Sequence, residues 1–138
     1  MKFLAQTLFV VSLFTLPTEL ALADTYNIAV LQALDKVTAR VSTFNAPINA
    51  TIRFGTLEII AHICDKRPPE ETPESSAFLD ISEAQPDEAV VSVYRGWMFA
   101  SSPALAAMEH PVYDVWMLDC KNASSAETPS LESPGRGP

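Results

Sequence analysis

The chain is poor in the residues that build phosphate-binding loops and nucleic-acid surfaces. It has four glycines among 138 residues, and none belongs to a glycine-rich phosphate loop. Nine lysines and arginines stand against 17 acidic residues, so the formal net charge is −8 at pH 7. A chain this acidic repels phosphate backbones and anionic lipid. The composition therefore predicts no nucleic-acid partner and no small-molecule cofactor.

Long hydrophobic runs are also scarce. The longest at the amino-terminal end is "LFVVSLFTL", Leu8 to Leu16, which follows Lys2. About nine residues are too few to cross roughly 30 Å of hydrocarbon, which argues against a membrane anchor. "ALAD" then places Ala21 and Ala23 at the small-residue positions that signal peptidase requires. This pattern predicts a cleaved signal peptide over residues 1–23 and a periplasmic location.

Only two cysteines are present, Cys64 and Cys120. In an oxidising compartment an even pair indicates a disulfide, and a bridge closing about 57 residues is worth roughly 4 kcal/mol in the chain-entropy account. A redox pair is disfavoured because no C-x-x-C motif occurs. A tetrahedral metal set with His62 and His110 is the remaining alternative, although a structural disulfide is the favoured interpretation and no metal is predicted.

Residues 24–121 are predicted to form one domain, followed by a disordered tail at 122–138, which is rich in small, polar and proline residues. Period-two alternation and β-branched residues predict seven short strands. They fall in YNIAVLQALDK, VTARVSTFNAP, INATIRFG, TLEIIAHICDKR, AFLDIS, VVSVYRGWMFASS and VYDVWMLDC. Helical crossovers are lacking, so the fold class is mainly β, a small antiparallel sandwich or partly open barrel with one short helix.

Strict alternation also assigns side chains to faces. In the fourth predicted strand it places Leu57, Ile59, Ala61 and Ile63 together, with Cys64 on the opposite face. The proline- and glutamate-rich "DKRPPEETPESSA" that follows predicts an exposed loop, because proline cannot donate to a central ladder.

Two backbone features are predicted later in the chain. Gly96 is a candidate for a bend or bulge in the sixth strand. "PALAAMEHP" predicts the short helix, with Ser102 as its cap, Pro103 at its first position and Pro111 at its end.

A hydrolase is the alternative function. Ser101, Ser102, His110 and Asp114 are the residue types of a nucleophile, base and orienter. No G-x-S-x-G turn frames either serine, and such a group within about 15 residues is common by chance. The favoured interpretation therefore names no catalytic residue, and a small periplasmic hydrolase using His110 with Ser101 or Ser102 is kept as the alternative.

Large apolar side chains occupy both faces of the last strands. Trp97 and Phe99 would share one face of their strand and Met98 the other, and Trp116 is likewise opposed by apolar neighbours. Such strands are central in a sandwich, or one of their faces meets a partner. Arg, Tyr and Trp are the residue types that anchor interfaces. The predicted partner-binding residues are Arg95, Trp97, Tyr113 and Trp116.

Several long motifs together resemble a known family. "LDKVTARVSTF", "RFGTLEI…C", "KRPPEETPESSAFLDI" and "GWMFASSPALAAMEHPVYDVWMLDC" are similar to an uncharacterised exported family of alphaproteobacteria, domain of unknown function 2155. The likeness covers Ile28 to Cys120, and Ala39 stands where that family usually has glycine.

The resemblance implies an envelope location and a cysteine pair at Cys64 and Cys120, but it supplies no activity, substrate or cofactor. The resemblance also implies a gene of the kind that often lies near one for an accessory subunit of respiratory complex I, which suggests a membrane complex as partner. The sequence thus predicts an exported periplasmic binding or accessory domain that supports an envelope protein complex.

Overall fold

A computed structural model of the chain describes residues 24–123. The predicted signal peptide, residues 1–23, lies outside the described residues. Residues 124–138, which make up most of the predicted tail, also lie outside them.

The described residues form eight strands and one 3-10 helix. The strands are β1 (Asp24–Tyr26), β2 (Ile28–Asp35), β3 (Arg40–Pro47), β4 (Thr51–Phe54), β5 (Leu57–Lys66), β6 (Ser75–Glu83), β7 (Val91–Phe99) and β8 (Tyr113–Lys121), and the 3-10 helix is Pro103–Ala106. The seven predicted strands correspond to β2 through β8. Sequence reasoning missed β1, whose three residues are too few to show a period.

The strands make two antiparallel sheets. In the larger sheet β7, β6 and β5 lie in that order, and the far edge of β5 is shared between β1 and β4. In the smaller sheet β2 lies between β3 and β8. The mainly β prediction is confirmed, and the arrangement is a small sandwich.

Apolar side chains from both sheets fill the space between them. Each large side chain buried there contributes roughly 1.5–3 kcal/mol. The buried set comprises Ala29, Leu31, Ala33, Ala46, Val115, Met117 and Cys120 from the smaller sheet, and Leu57, Ile59, Ala61, Cys64, Ala77, Leu79, Ile81 and Met98 from the larger.

A β-bulge in β5 overturns the predicted facing of that strand. Ala61 pairs with Leu79 and Ile63 with the preceding residue of β6, so His62 is an extra, unpaired residue. An extra residue shifts every later side chain to the opposite face. Ile63 is therefore 41% exposed, and Cys64 turns into the core with no exposed surface.

A second bulge does the same in β8. Leu31 pairs with Met117 and Val30 with Asp119, which leaves Leu118 as the extra residue. Strict alternation would place Cys120 outside, but beyond the bulge it is buried. In both cysteine strands the bulge lies two residues before the cysteine, so both sulfurs point between the sheets.

The irregularity predicted at Gly96 lies elsewhere in β7. Gly96 pairs regularly with Leu79, and the register shifts around Val93 instead. The Tyr94 hydroxyl lies over Gly96, at 3.5 Å from where a Cβ would stand, and donates a 2.8 Å hydrogen bond to the Trp97 carbonyl.

The predicted helix is present but shorter than expected. It ends at Ala106, and the prediction that Pro111 ends it is wrong. Ser102 occupies the cap position without a side-chain hydrogen bond, so its predicted capping role is also wrong. The physical reason for the early end is Met108, which is 4% exposed. An extended backbone from Ala107 carries its side chain into the core.

Candidate functional site

The two cysteines form a disulfide that joins the sheets. The Cys64 and Cys120 sulfurs are bonded, with their Cα atoms 5.8 Å apart. Neither thiol is therefore available to the alternative metal set with His62 and His110. Within residues 24–123, no three histidine, cysteine, aspartate or glutamate side chains are grouped closely enough to hold a metal.

A polar network covers the disulfide. Asp119 Oδ1 lies 2.8 Å from Lys66 Nζ and accepts hydrogen bonds from the Ser75 hydroxyl at 3.0 Å and its neighbouring Cys120 N–H at 2.8 Å. Burial raises the pKa of Asp119, but these donors together outweigh it and hold the pKa below its ordinary 3.8. The hydrogen bond to Asp119 in turn raises the pKa of Lys66. A cavity of about 620 Å³ lies beside this network, with Tyr26 among its lining residues.

The candidate base, His110, lies at the opposite end of the sandwich from the disulfide. Its side chain is 6% exposed. Nδ1 accepts hydrogen bonds from the backbone N–H groups of Val112 and Tyr113, both at 3.1 Å. This acceptor role places the ring proton on Nε2, which lies 3.3 Å from the Glu83 carboxylate. Both ring nitrogens are thus engaged in holding the chain.

The structure does not bring the candidate serines to that histidine. Ser101 and Ser102 follow β7, at the disulfide end. The Ser101 hydroxyl donates a hydrogen bond to the Glu74 carboxylate. The Ser102 hydroxyl lies 3.5 Å from the Ser101 hydroxyl. Since His110 precedes β8 at the far end, no geometry of the described residues favours the hydrolase alternative.

The predicted partner-binding residues separate into two groups. Tyr113 and Trp116 point to opposite faces of β8. Tyr113 is half-buried and packs edge-on against Phe54, with ring centroids 5.6 Å apart. Trp116 is also half-buried, on the outer face of the smaller sheet, beside a cavity of about 380 Å³ that Met108 helps to line.

Arg95 and Trp97, by contrast, lie together on the outer face of the larger sheet. Trp97 is 38% exposed and pairs across the strands with Phe78, their rings edge to face at 5.7 Å. Arg95 pairs with Asp80, and its guanidinium lies 3.3 Å from that carboxylate while remaining 67% exposed. Phe78 therefore supports the indole, and Asp80 orients the guanidinium.

We call this surface the Trp97 face; it comprises Ile63, Phe78, Arg95, Trp97 and Phe99. A cavity of about 360 Å³ opens between Trp97, Phe99 and Arg67. The surface combines an apolar centre, a charged rim and a recess. Sequence reasoning missed Ile63 and Phe78. The bulge that exposes Ile63 leaves no signal in a period-two pattern.

The two packed sheets and the disulfide between them define the class: a small, disulfide-bridged β sandwich. Residues 29–120 match the family described as an uncharacterised protein conserved in bacteria, DUF2155, and the chain belongs to that family. The resemblance inferred from the motifs is thereby confirmed.

The similar protein found by sequence comparison does not indicate an activity. An uncharacterised protein of Rickettsia prowazekii (strain Madrid E) is 31% identical over 88 residues, which is 64% of this chain and 57% of the relative. The chain thus spans less than two thirds of that relative's length. No solved structure matches the chain. Among residues 24–123 there is no helix of the length and apolar character needed to cross a bilayer.

Proposed function

We propose that the protein is an exported accessory domain of the bacterial envelope that docks a protein of a membrane complex through the Trp97 face. The observation that carries this proposal is the placement of Trp97. A tryptophan more than one third exposed, supported by Phe78 and flanked by an oriented Arg95, has the composition of an interface anchor.

The surroundings of Trp97 support a protein partner in particular. Ile63, which is 41% exposed, and the half-buried Phe99 add apolar side chains on the same face, and clustered exposed apolar groups favour a protein contact. Asp80 fixes the Arg95 guanidinium without covering it, so its remaining donors can meet a partner carboxylate or carbonyl. An edge-supported indole loses little conformational entropy on binding.

Export is supported by the leader-like residues 1–23 and by the disulfide. Bridges of this kind form and persist in oxidising compartments. The expected outcome is that the full chain, made in a bacterium, carries no free thiol. A variant starting at Asp24 and retained in the cytoplasm would carry two. Equal thiol contents in alkylation assays would contradict export as the source of the bridge.

Photo-crosslinking tests the docking face. A benzophenone amino acid replaces Trp97 in one variant and Trp116 in a matched control, because both tryptophans point outward from their sheets. In intact envelopes we expect one discrete cross-linked protein from position 97 and none from position 116. Arg95→Ala in the position-97 variant should weaken that product. Identical products from both positions, or none from position 97, would overturn the proposal.

A further inference from the structure

The outer edge of β3 carries backbone groups that no described residue satisfies. β3 is an edge strand, paired with β2 alone. Just beyond the pairing of Ile28 with Pro47, Ile48 N–H donates to Asn27 O at 2.9 Å, which fixes the alternation of the ladder. Counting from that pair, every second residue of β3 bonds β2 and the others present N–H and C=O outward.

The outward-facing residues are Val41, Thr43 and Asn45. Their side chains are exposed, whereas Ser42, Phe44 and Ala46 turn inward and are half-buried or buried. Pro47, which has no N–H, continues the outward series. Val41, Thr43 and Asn45 therefore form an intact edge on which each residue offers an unpaired N–H donor and C=O acceptor.

This edge lacks the devices that protect other edges of the molecule. The edge strand β7 has the bulge at Val93, a carbonyl already bonded by Tyr94 and an exposed arginine at its centre. β8 has the bulge at Leu118. β3 pairs with β2 over eight residues with no register shift, and its single charge is Arg40 at one end. Long regular edges without charge, bulge or proline in their middle accept another strand.

We propose that two copies of this chain pair antiparallel through β3, with the two-fold axis at Thr43. The two three-stranded sheets would then become one sheet of six strands. In this register Val41 faces Asn45 of the second copy and Thr43 faces its own equivalent, so each pair exchanges two hydrogen bonds. With the axis at Phe44 instead, Val41 would face Pro47 of the second copy, which has no N–H to donate a hydrogen bond.

Side-chain and charge complementarity favour a second copy as the occupant. Threonine directly opposite threonine is a favourable cross-strand pair, and like charges opposite each other are not. The only charge of β3, Arg40, would face Ala46 of the other copy. In a protein of net charge −8, this edge brings no carboxylate against another.

A cysteine placed on the axis gives a direct test. Hydrogen-bonded antiparallel partners have Cα atoms about 5.5 Å apart, within disulfide range. Thr43→Cys should therefore yield a covalent dimer under mild oxidation. Asn45→Cys is the matched control, since its equivalents would lie four residues apart along the strands, roughly 14 Å at about 3.4 Å per residue. Equal cross-linking at both positions, or none at Thr43, would overturn the register.

Sedimentation of the exported, processed protein over a concentration series tests the dimer itself. Wild type should reach twice the monomer mass. Thr43→Lys, which sets two cations on the axis, should stay monomeric with an unchanged circular dichroism spectrum. Ser92→Lys on the exposed start of β7 should dimerise as wild type does. A wild type that is monomeric throughout, or a Thr43→Lys variant that still dimerises, would refute the proposal.

Discussion

The two ends of the sandwich are closed by different chemistry. At one end Cys64 and Cys120 join the sheets covalently beneath the salt bridge of Lys66 with Asp119. At the other end the buried His110 ring accepts two backbone N–H groups at Nδ1 and faces the Glu83 carboxylate with Nε2. The first closure acts mainly on the unfolded chain, whereas the second depends on native packing.

Packing at the histidine end is correspondingly tight. Tyr113 stacks on His110, with ring centroids 5.3 Å apart, and meets Phe54 edge-on. Its ring also covers Gly55, whose φ is +58°. Lys36 reaches across from the β2–β3 turn to the His110 carbonyl and to Asp114, both at 2.8 Å. A change at this end therefore disturbs several contacts at once.

Loss of the disulfide should have the largest effect. Replacing Cys64 or Cys120 by serine opens a loop of about 57 residues, which corresponds to a loss of roughly 4 kcal/mol in the free energy of unfolding. Urea denaturation measures it. The two single variants should lose equal amounts and the double variant little more, because either change breaks the same bond. Clearly unequal losses would show that one cysteine also contributes in some other way.

Gly55→Ala tests the histidine end and ranks second. An added Cβ would overlap the Tyr113 ring, and alanine is disfavoured at this positive φ. Overpacking and backbone strain together predict a loss of about 3 kcal/mol in thermal or urea unfolding. Gly96→Ala is the matched control. There the Cβ meets the Tyr94 side chain at ordinary contact distances of 3.5 to 3.9 Å, so little change is expected. Similar losses at both glycines would contradict this account.

The disulfide end was far easier to predict from sequence than the histidine end. A chain with two cysteines allows only one intramolecular pairing, so the bridge could be predicted without geometry. His110 could be recognised only as a reactive residue type, and its role as a buried acceptor depends on where Val112 and Tyr113 place their N–H groups. Nothing in the local sequence encodes that.

Period-two alternation predicts the positions of the strands. It predicts the wrong face for the side chains that follow a bulge. A bulge is a property of the pairing between two strands, so one strand's sequence does not reveal it. For this reason strict alternation groups Ile63 with Leu57, Ile59 and Ala61, whereas in the structure Cys64 is the residue that shares their buried face. The same limit hid the Trp97 face, where Arg95 and Trp97 were identified but their partners Asp80 and Phe78 were not.

Asp119→Asn should lower the free energy of unfolding by less than the cysteine substitutions or Gly55→Ala. Hydrogen bonds to a carboxylate are worth about 1.5–3 kcal/mol when buried, and the exposure of Asp119 and Lys66 reduces this to about 1 kcal/mol. Because the native pKa of Asp119 lies below 3.8, its contribution is complete above about pH 4 and declines as the pH falls through the native pKa. The melting temperatures of variant and wild type should therefore differ at pH 7 and converge in acid. A gap that stays constant down to pH 2 would contradict the role of the charge.

Ala39→Gly should have the smallest effect, and it should be stabilising. Ala39 lies in the β2–β3 turn at the histidine end, with φ at +56°, a region that glycine adopts more readily than alanine. Relief of left-handed strain is worth about 1–2 kcal/mol, and the greater freedom of glycine in the unfolded chain offsets roughly half of it. A net gain of about 0.5–1 kcal/mol would raise the melting temperature by roughly 4 °C. Asp87→Gly is the control, because Asp87 has a similar φ of +63° but aspartate tolerates that region better. No gain from Ala39→Gly would show that alanine is tolerated in this turn without cost, and equal gains at both positions would show that the strain is not particular to alanine.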